Sequence, residues 1–281
     1  MGKRSRINSP SVPAGFTLIE LVTVMVVLGV VSVGIAGFVR TGTQIYVDVA
    51  ERDQVLSEGR FVVERLNREL RDSLPNSLRV SGDASIQCLE FVPVLFSSFY
   101  FDVPVAPEPA TDEVKIIATE ANTTDYSYQS DHALVIYPTS TTDVYSASTN
   151  RRYLLNEAPA LDPADNKKLI LTLPSAVQFA TDSPSSRAYV VDSPVSYCVS
   201  GGQINRHADY GFNAIQNTSL GNAVLMAENL QNDLSAADQD KPFRVAEATL
   251  SRNAFVLALL RFEINDEVVV FNNEVHIPNA P

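Results

Sequence analysis

The sequence predicts an α+β protein, a long N-terminal helix followed by an antiparallel β-rich globular domain. Three observations predict it. The run from Phe16 to Val39 holds a single ionisable side chain, Glu20. After Arg40 apolar residues recur at helical spacing until Pro75. From about Ser81 onward, short β-branched and aromatic segments alternate with proline-rich and small polar stretches.

The first element is the apolar run. About 24 helical residues cover ~36 Å, enough for a hydrocarbon core of ~30 Å with some tilt. Lys3, Arg4 and Arg6 precede it and place the N-terminus in the cytoplasm by the positive-inside rule, with the bulk of the chain outside. A secretory signal has a shorter apolar region and a small-residue cleavage site, and neither is present. A plain signal anchor stays open, but it does not account for Glu20. An ionised carboxylate within hydrocarbon costs several kcal/mol and needs a partner. Gly29, Gly34 and Gly37 weaken the helix interior and also permit close approach of neighbouring helices in lipid.

The residues "AGFTLIE", Ala14 to Glu20, resemble the processing site of type IV prepilins. The resemblance implies a leader peptide over residues 1–15, cleavage between Gly15 and Phe16, and N-methylation of Phe16. It implies that Glu20 then faces the terminal amine of a neighbouring subunit in a filament. A buried carboxylate is tolerated beside an ammonium group, and loss of either partner strands the other charge. Glu20 therefore reads as a device for subunit registry.

The second element, residues 40–74, is an amphipathic continuation of the helix beyond the transmembrane and assembly segment, residues 16–39. Ile45, Val49, Val55, Leu56, Val62, Val63, Leu66, Leu70 and Leu74 share one face, opposite Asp53, Glu58, Arg60, Glu64, Arg65, Arg68, Arg71 and Asp72. Glu64 and Arg68 stand at i,i+4 in the favourable order. Arg52 falls inside the apolar stripe and Phe61 outside it, as candidates for contacts beyond the subunit. Pro75 ends the pattern and disfavours α geometry at Leu74. One helix over Phe16–Ser73 is expected, its second half packed on the β-rich domain.

The third element is that β-rich domain, residues 81–281. Ile86–Val92, Val94–Phe101, Ala133–Tyr137, Leu169–Leu173 and Ala188–Val191 read as strands. "DVPVAPEPATDE", "TSTTDVYSASTN" and "TDSPSS" read as loops. Pro194–Phe212 reads as a hairpin turning at Gly201-Gly202, because a two-residue turn there needs positive φ. A second hairpin turns at Asn265-Asp266. Phe255–Leu260 fits a helix or a strand by periodicity, and the alternation after it favours a strand. "NAVLMAENLQND" fits a short helix or an edge strand. The expectation is one antiparallel sheet domain covering the amphipathic helix face.

Composition limits the chemistry. The chain carries 33 acidic and 21 basic residues, and removing the three basic residues of the leader takes its net charge from −12 to −15. That excludes a basic footprint for nucleic acid. No GxSxG, Walker, GxGxxG, HExxH or CxxC pattern is present, so neither an enzyme nor a cofactor is expected. His132, His207 and His276 are scattered singly. "DPADNKK", Asp162 to Lys168, has oxygen ligands at short spacing but lacks the glycine and distal glutamate of an EF-hand loop, and no metal is expected there. The two cysteines, Cys88 and Cys198, are expected to form a disulfide if the domain is exported, with two buried thiols as the alternative.

Beyond the processing site, Tyr46 to Val80, and above all "RELRDSLPNSLRV", resembles the minor pilins of the mannose-sensitive haemagglutinin (MSHA) pilus, the MshO group. The hairpin with Tyr197, Cys198 and Arg206 and the ending "VHIPNAP" are similar to that group, while 102–193 carries no matching motif. The resemblance implies a low-abundance subunit that primes or caps pilus assembly. Its partners would be a prepilin peptidase/N-methyltransferase, other major and minor pilins and the inner-membrane assembly platform. It would be a single-pass inner-membrane protein with a periplasmic domain. Two other readings share some of these features: a minor pseudopilin of a type II secretion system, and a membrane-anchored surface adhesin or periplasmic enzyme with a chance prepilin-like site.

Overall fold

A computed structural model describes residues 15–236, 240–247 and 253–277. Residues 1–14, with Lys3, Arg4 and Arg6 of the expected leader, and the last residues of "VHIPNAP" lie outside the described residues. The chain divides into two compact units, one ending at Glu51 and one starting at Arg52.

Helix α1 runs over Leu18–Arg71, within two residues of the expected bounds at either end. In the unit ending at Glu51, the large apolar side chains from Phe16 to Val49 are exposed. Ile45 and Val49 belong to the expected apolar stripe but are not buried. Within that unit the described residues from Leu18 on are one helix, and a single helix cannot bury a face against itself.

In the second unit the helix buries Val55, Gly59, Val62, Leu66 and Leu70, a stripe spaced by three and four residues. Leu56 and Val63 are its half-buried flanks. Gly59 belongs to this stripe by necessity, since a β-carbon there would come within 2.3 Å of the Phe271 ring. The expected Glu64–Arg68 pair does not form among the described residues, and the i,i+4 bridge is Arg65–Glu69 at 2.9 Å. Arg52 pairs with Glu267 at 2.9 Å, both about half exposed, a bridge worth roughly 0–1 kcal/mol. Phe61 is 52% exposed.

The expected single sheet is instead three. Strands β1 (Arg79–Gly82) and β2 (Ile86–Phe91) begin the β domain slightly before Ser81. They join β10 (Val195–Ser200), β11 (Gln203–His207) and β12 (Ala223–Ala227) in a five-stranded sheet ordered β1-β2-β10-β11-β12. Strands β13 (Phe243–Ala246), β14 (Ala254–Ile264) and β15 (Glu267–Ile277) form a three-stranded sheet. These two sheets and the helix stripe share one core around Leu66, Leu70, Leu89, Phe91, Tyr197, Phe243 and Phe262.

Between β2 and β10 the chain makes a separate seven-stranded sheet. Its members are β3 (Val94–Asp102), β4 (Thr111–Ile117), β5 (Ala133–Ile136), β6 (Arg152–Leu154), β7 (Ala160–Asp162), β8 (Asp165–Val177) and β9 (Arg187–Val191). It has its own core, including Phe96, Tyr100, Ile116, Leu134, Leu171 and Val190. A smaller cluster of Leu74, Val92, Val135, Val144, Tyr145 and Val191 ties this lobe to the end of the helix. The lobe fills the stretch that carried no matching motif, and its entry and exit strands pair directly, Phe91 opposite Val195.

Local signals account for most elements. Gly201 and Gly202 have φ of 57° and 77°, and Asn265 and Asp266 have 50° and 63°, so both two-residue hairpins turn where the left-handed residues lie. "NAVLMAENLQND" supplies β12, an edge strand. Two loop expectations are corrected. "TSTTDVYSASTN" contains a one-turn helix, α2 (Thr141–Tyr145), held by a reciprocal capping box between Ser140 and Asp143. The end of "DVPVAPEPATDE" enters β4 at Thr111, because it pairs with β8.

Candidate functional site

The prepilin-like residues occupy the start of α1. Thr17 is the residue before the helix and Glu20 lies three further on. The Thr17 hydroxyl accepts from the Glu20 N–H at 3.3 Å, and a Glu20 carboxylate oxygen accepts from the Thr17 N–H at 3.5 Å. This is a capping box: it satisfies two of the N–H groups that a helix start leaves unpaired. The carboxylate also stands at the positive end of the helix dipole, where negative charge is favoured. Sequence reasoning treated Glu20 as lacking any partner within its own chain, although T-x-x-E is the signature of such a cap.

The surroundings are open. Phe16 is 85% exposed, and Glu20 is exposed with it. Beyond the adjoining backbone, no described atom lies within 4 Å of a β-carbon built at Gly15, Gly29, Gly34, Gly37 or Gly42. Nothing among the described residues therefore requires glycine at those positions, in contrast to Gly59. A requirement for glycine at Gly15 must come from a molecule that handles the segment, and one at Gly34 or Gly37 from whatever packs beside the helix.

Cys88 and Cys198, 110 positions apart in the sequence, are joined in a disulfide. They are register partners on β2 and β10, and both are buried. The bridge therefore closes the base of the inserted lobe.

Two buried polar clusters fix the helix and sheets of the second unit. Glu69 on α1 accepts from Arg65 at 2.9 Å, from Arg206 at 3.0 and 3.1 Å, and from the Tyr197 hydroxyl at 3.1 Å. Burial, then the Glu69 charge, pushes the Tyr197 hydroxyl well above its ordinary range, so it stays a donor. The hairpin residues Tyr197 and Arg206 thus hold the sheet on the helix. In the second cluster Glu90, 1% exposed, pairs with Arg79 and accepts from Tyr210 at 2.9 Å.

A third cluster was invisible in sequence because its members lie 60 residues apart. Asp131, His132 and Asp192 converge, with His132 Nε2 3.8 Å from Asp192. The Gln129 N–H donates to His132 Nδ1 at 3.2 Å, which leaves the imidazole proton on Nε2, facing Asp192. A metal would have to displace that proton, so the arrangement reads as a polar clasp. Burial raises the Asp192 carboxyl above the usual carboxylate range. Asp162 of "DPADNKK" is likewise committed internally: it accepts from Lys115 at 2.8 Å and from the Ala164 N–H at 2.9 Å. The Lys115 hydrogen bond holds its carboxyl below the usual range.

These features define a β-rich protein with an apolar, exposed, capped N-terminal helix, the one described helix long and apolar enough to cross a membrane. The family model described as the prokaryotic N-terminal methylation motif matches residues 13–36. The motif supports a type IV pilin-like protein that is processed by prepilin peptidase and associates with pilin assembly machinery. No curated protein and no solved structure matches the chain.

Proposed function

We propose that this chain is a minor subunit of an MSHA-type type IV pilus, cut after Gly15, methylated on Phe16 and used to prime or support pilus assembly. It acts as a structural subunit rather than a catalyst, held in the inner membrane with its β domain in the periplasm. The observation that carries the reading is Glu20, capped by Thr17 at the mouth of an apolar helix inside the methylation motif. After cleavage Phe16 becomes a positive chain end close to that carboxylate. A neighbour's chain end, brought beside Glu20 in lipid, would neutralise it in turn. The similarity of Tyr46–Val80 to MSHA minor pilins supports the narrower assignment. A type II secretion pseudopilin would share the helix and processing site, and gene neighbourhood separates the two.

The test is the mass of the mature N-terminus in cells that express a prepilin peptidase. The expected species begins at methylated Phe16, and Gly15→Leu accumulates the uncut chain because a large side chain blocks the peptidase. A wild-type polypeptide that keeps its initiator methionine, or normal trimming of Gly15→Leu, overturns the proposal.

A further inference from the structure

Every buried carboxylate among the described residues takes a cation: Glu90 has Arg79, Asp143 has Arg151 and Asp162 has Lys115. Arg152 is the reverse case. It is 7% exposed, the one arginine or lysine among the described buried residues, and it takes no carboxylate there. This occurs in a chain with 33 acidic residues against 21 basic ones. Its partners are neutral. Nε donates to the Val144 carbonyl at 2.7 Å and Nη2 to the Tyr145 carbonyl at 3.5 Å, and the guanidinium carbon lies 4.0 Å from the centre of the Phe212 ring. These contacts fix the side chain without neutralising it. Nη1 has no hydrogen-bond partner among the described residues, and it is open to solvent. Burial, with no acid beside it, lowers the guanidinium to about 10.

Arg152 stands on β6, the edge strand of the seven-stranded sheet, in the wall of a hollow of about 520 Å³. The wall is largely apolar, with Leu154, Pro174, Val177 and Phe212, and Asp131 is its one acid. Asp131 is gathered with His132 and Asp192, their ligand atoms within 4.8 Å of one another, and makes no ion pair with Arg152. A buried cation without a counter-charge is costly. One held rigid, with an open N–H edge on an apolar hollow, offers a charge-assisted hydrogen bond to an acceptor-only anion. Asp131 in the same wall repels any second negative charge.

We infer that this hollow binds a monoanion with an apolar body, its carboxylate on the open edge of Arg152 and its hydrocarbon part against Leu154, Pro174 and Val177. The volume lies in the range of small-molecule sites and exceeds what a carboxylate alone fills. Such an acid is either free or the carboxyl end of a polypeptide with an apolar last residue. The site draws on the inserted lobe and on the loop after β11, and is separate from the N-terminal processing segment.

The full chain in detergent would be titrated calorimetrically with phenylacetate, against empty micelles as blank. Phenylacetamide is the uncharged control, and succinate and inorganic phosphate are the anions of higher charge. Saturable, salt-sensitive phenylacetate binding is expected, with none for phenylacetamide and weaker binding of succinate and phosphate. Arg152→Gln should weaken phenylacetate at least about 10-fold, the worth of a charged hydrogen bond. Because Arg152 also holds the Val144 and Tyr145 carbonyls, Leu154→Trp is the second variant. It keeps the guanidinium and fills the hollow from a residue 41% exposed, so it should abolish binding while melting like the wild type. Asp131→Asn should narrow the gap between succinate and phenylacetate. An acetylated alanyl-phenylalanine with a free carboxyl end separates the sources: tighter binding than phenylacetate marks a chain end, and weaker binding marks a free acid. Succinate or phosphate bound more tightly than phenylacetate by the wild type overturns the apolar monoanion class. Equal binding of phenylacetamide, or a folded Arg152→Gln that binds like the wild type, overturns the role of Arg152. No saturable binding of either acid, or binding that Leu154→Trp leaves unchanged, overturns the site itself.

Discussion

Replacing both Cys88 and Cys198 by alanine tests how the inserted lobe is anchored. The bridge closes a loop of 110 residues. In the chain-entropy model that closure removes about 16 cal/mol/K from the unfolded chain, or about 4.8 kcal/mol at room temperature. The lobe inside the loop has its own core, however, and its entry and exit strands pair at Phe91 and Val195. If the lobe stays folded while the helix and five-stranded sheet open, the effective loop shrinks to roughly 15 residues and the loss to about 3 kcal/mol. Alanine is the right replacement because both cysteines are buried and serine would bury two hydroxyls. Guanidinium unfolding of the full chain in detergent, followed by tyrosine fluorescence, reads the difference. A loss of about 3–4.8 kcal/mol is expected, with a single transition at the upper end and two at the lower. A loss under about 1 kcal/mol refutes the loop-closure reasoning, since the bridge would then restrain nothing that the sheet does not already hold.

Three further outcomes are expected from the same structure. Glu20→Ala should leave membrane insertion intact but impair co-purification with partner subunits. Glu20→Gln separates cap from charge, because glutamine still completes a capping box; rescue by glutamine would reduce Glu20 to a helix cap, and failure supports registry. Gly59→Leu should overpack against Phe271 and cost about 1–3 kcal/mol, lowering the melting temperature by roughly 2–12 °C. Gly37→Leu, which meets open space, should leave that melting unchanged, and equal effects would contradict the packing account. Asp192 carries a carboxyl raised mainly by burial, so the fold holds its proton more tightly than the unfolded chain does. Its charged form therefore destabilises the fold above the raised value, and the penalty fades as pH falls toward the ordinary ~3.9. Asp192→Asn should be the more stable form at pH 7 and lose that lead near pH 4 in urea titrations, and a wild type more stable at pH 7 would refute the assignment.

The sequence by itself determined the helix, its two characters and its stop at Pro75. It determined both hairpin turns, because Gly-Gly and Asn-Asp admit the positive φ that a two-residue turn needs. It also carried the capping boxes T-x-x-E at Thr17 and S-x-x-D at Ser140, of which one reads in sequence as an unpartnered charge and the other as loop. All of these are decided by residues within a turn or two of one another.

The tertiary structure decided what those elements touch. Alternation marks Ile86–Phe91 and Val94–Asp102 as strands, but nothing local says that they enter different sheets. Nor does it say that β2 pairs with β10 across more than 100 residues, leaving β3 to β9 to fold as a lobe. The same holds for the convergence of Asp131, His132 and Asp192. Helix periodicity shows which face is apolar, yet it does not say that Val55 is buried and Val49 exposed. Local conformation arises from short-range sterics and hydrogen bonding. Pairing partners are chosen by hydrophobic burial summed over the whole chain, and no stretch of residues holds that sum.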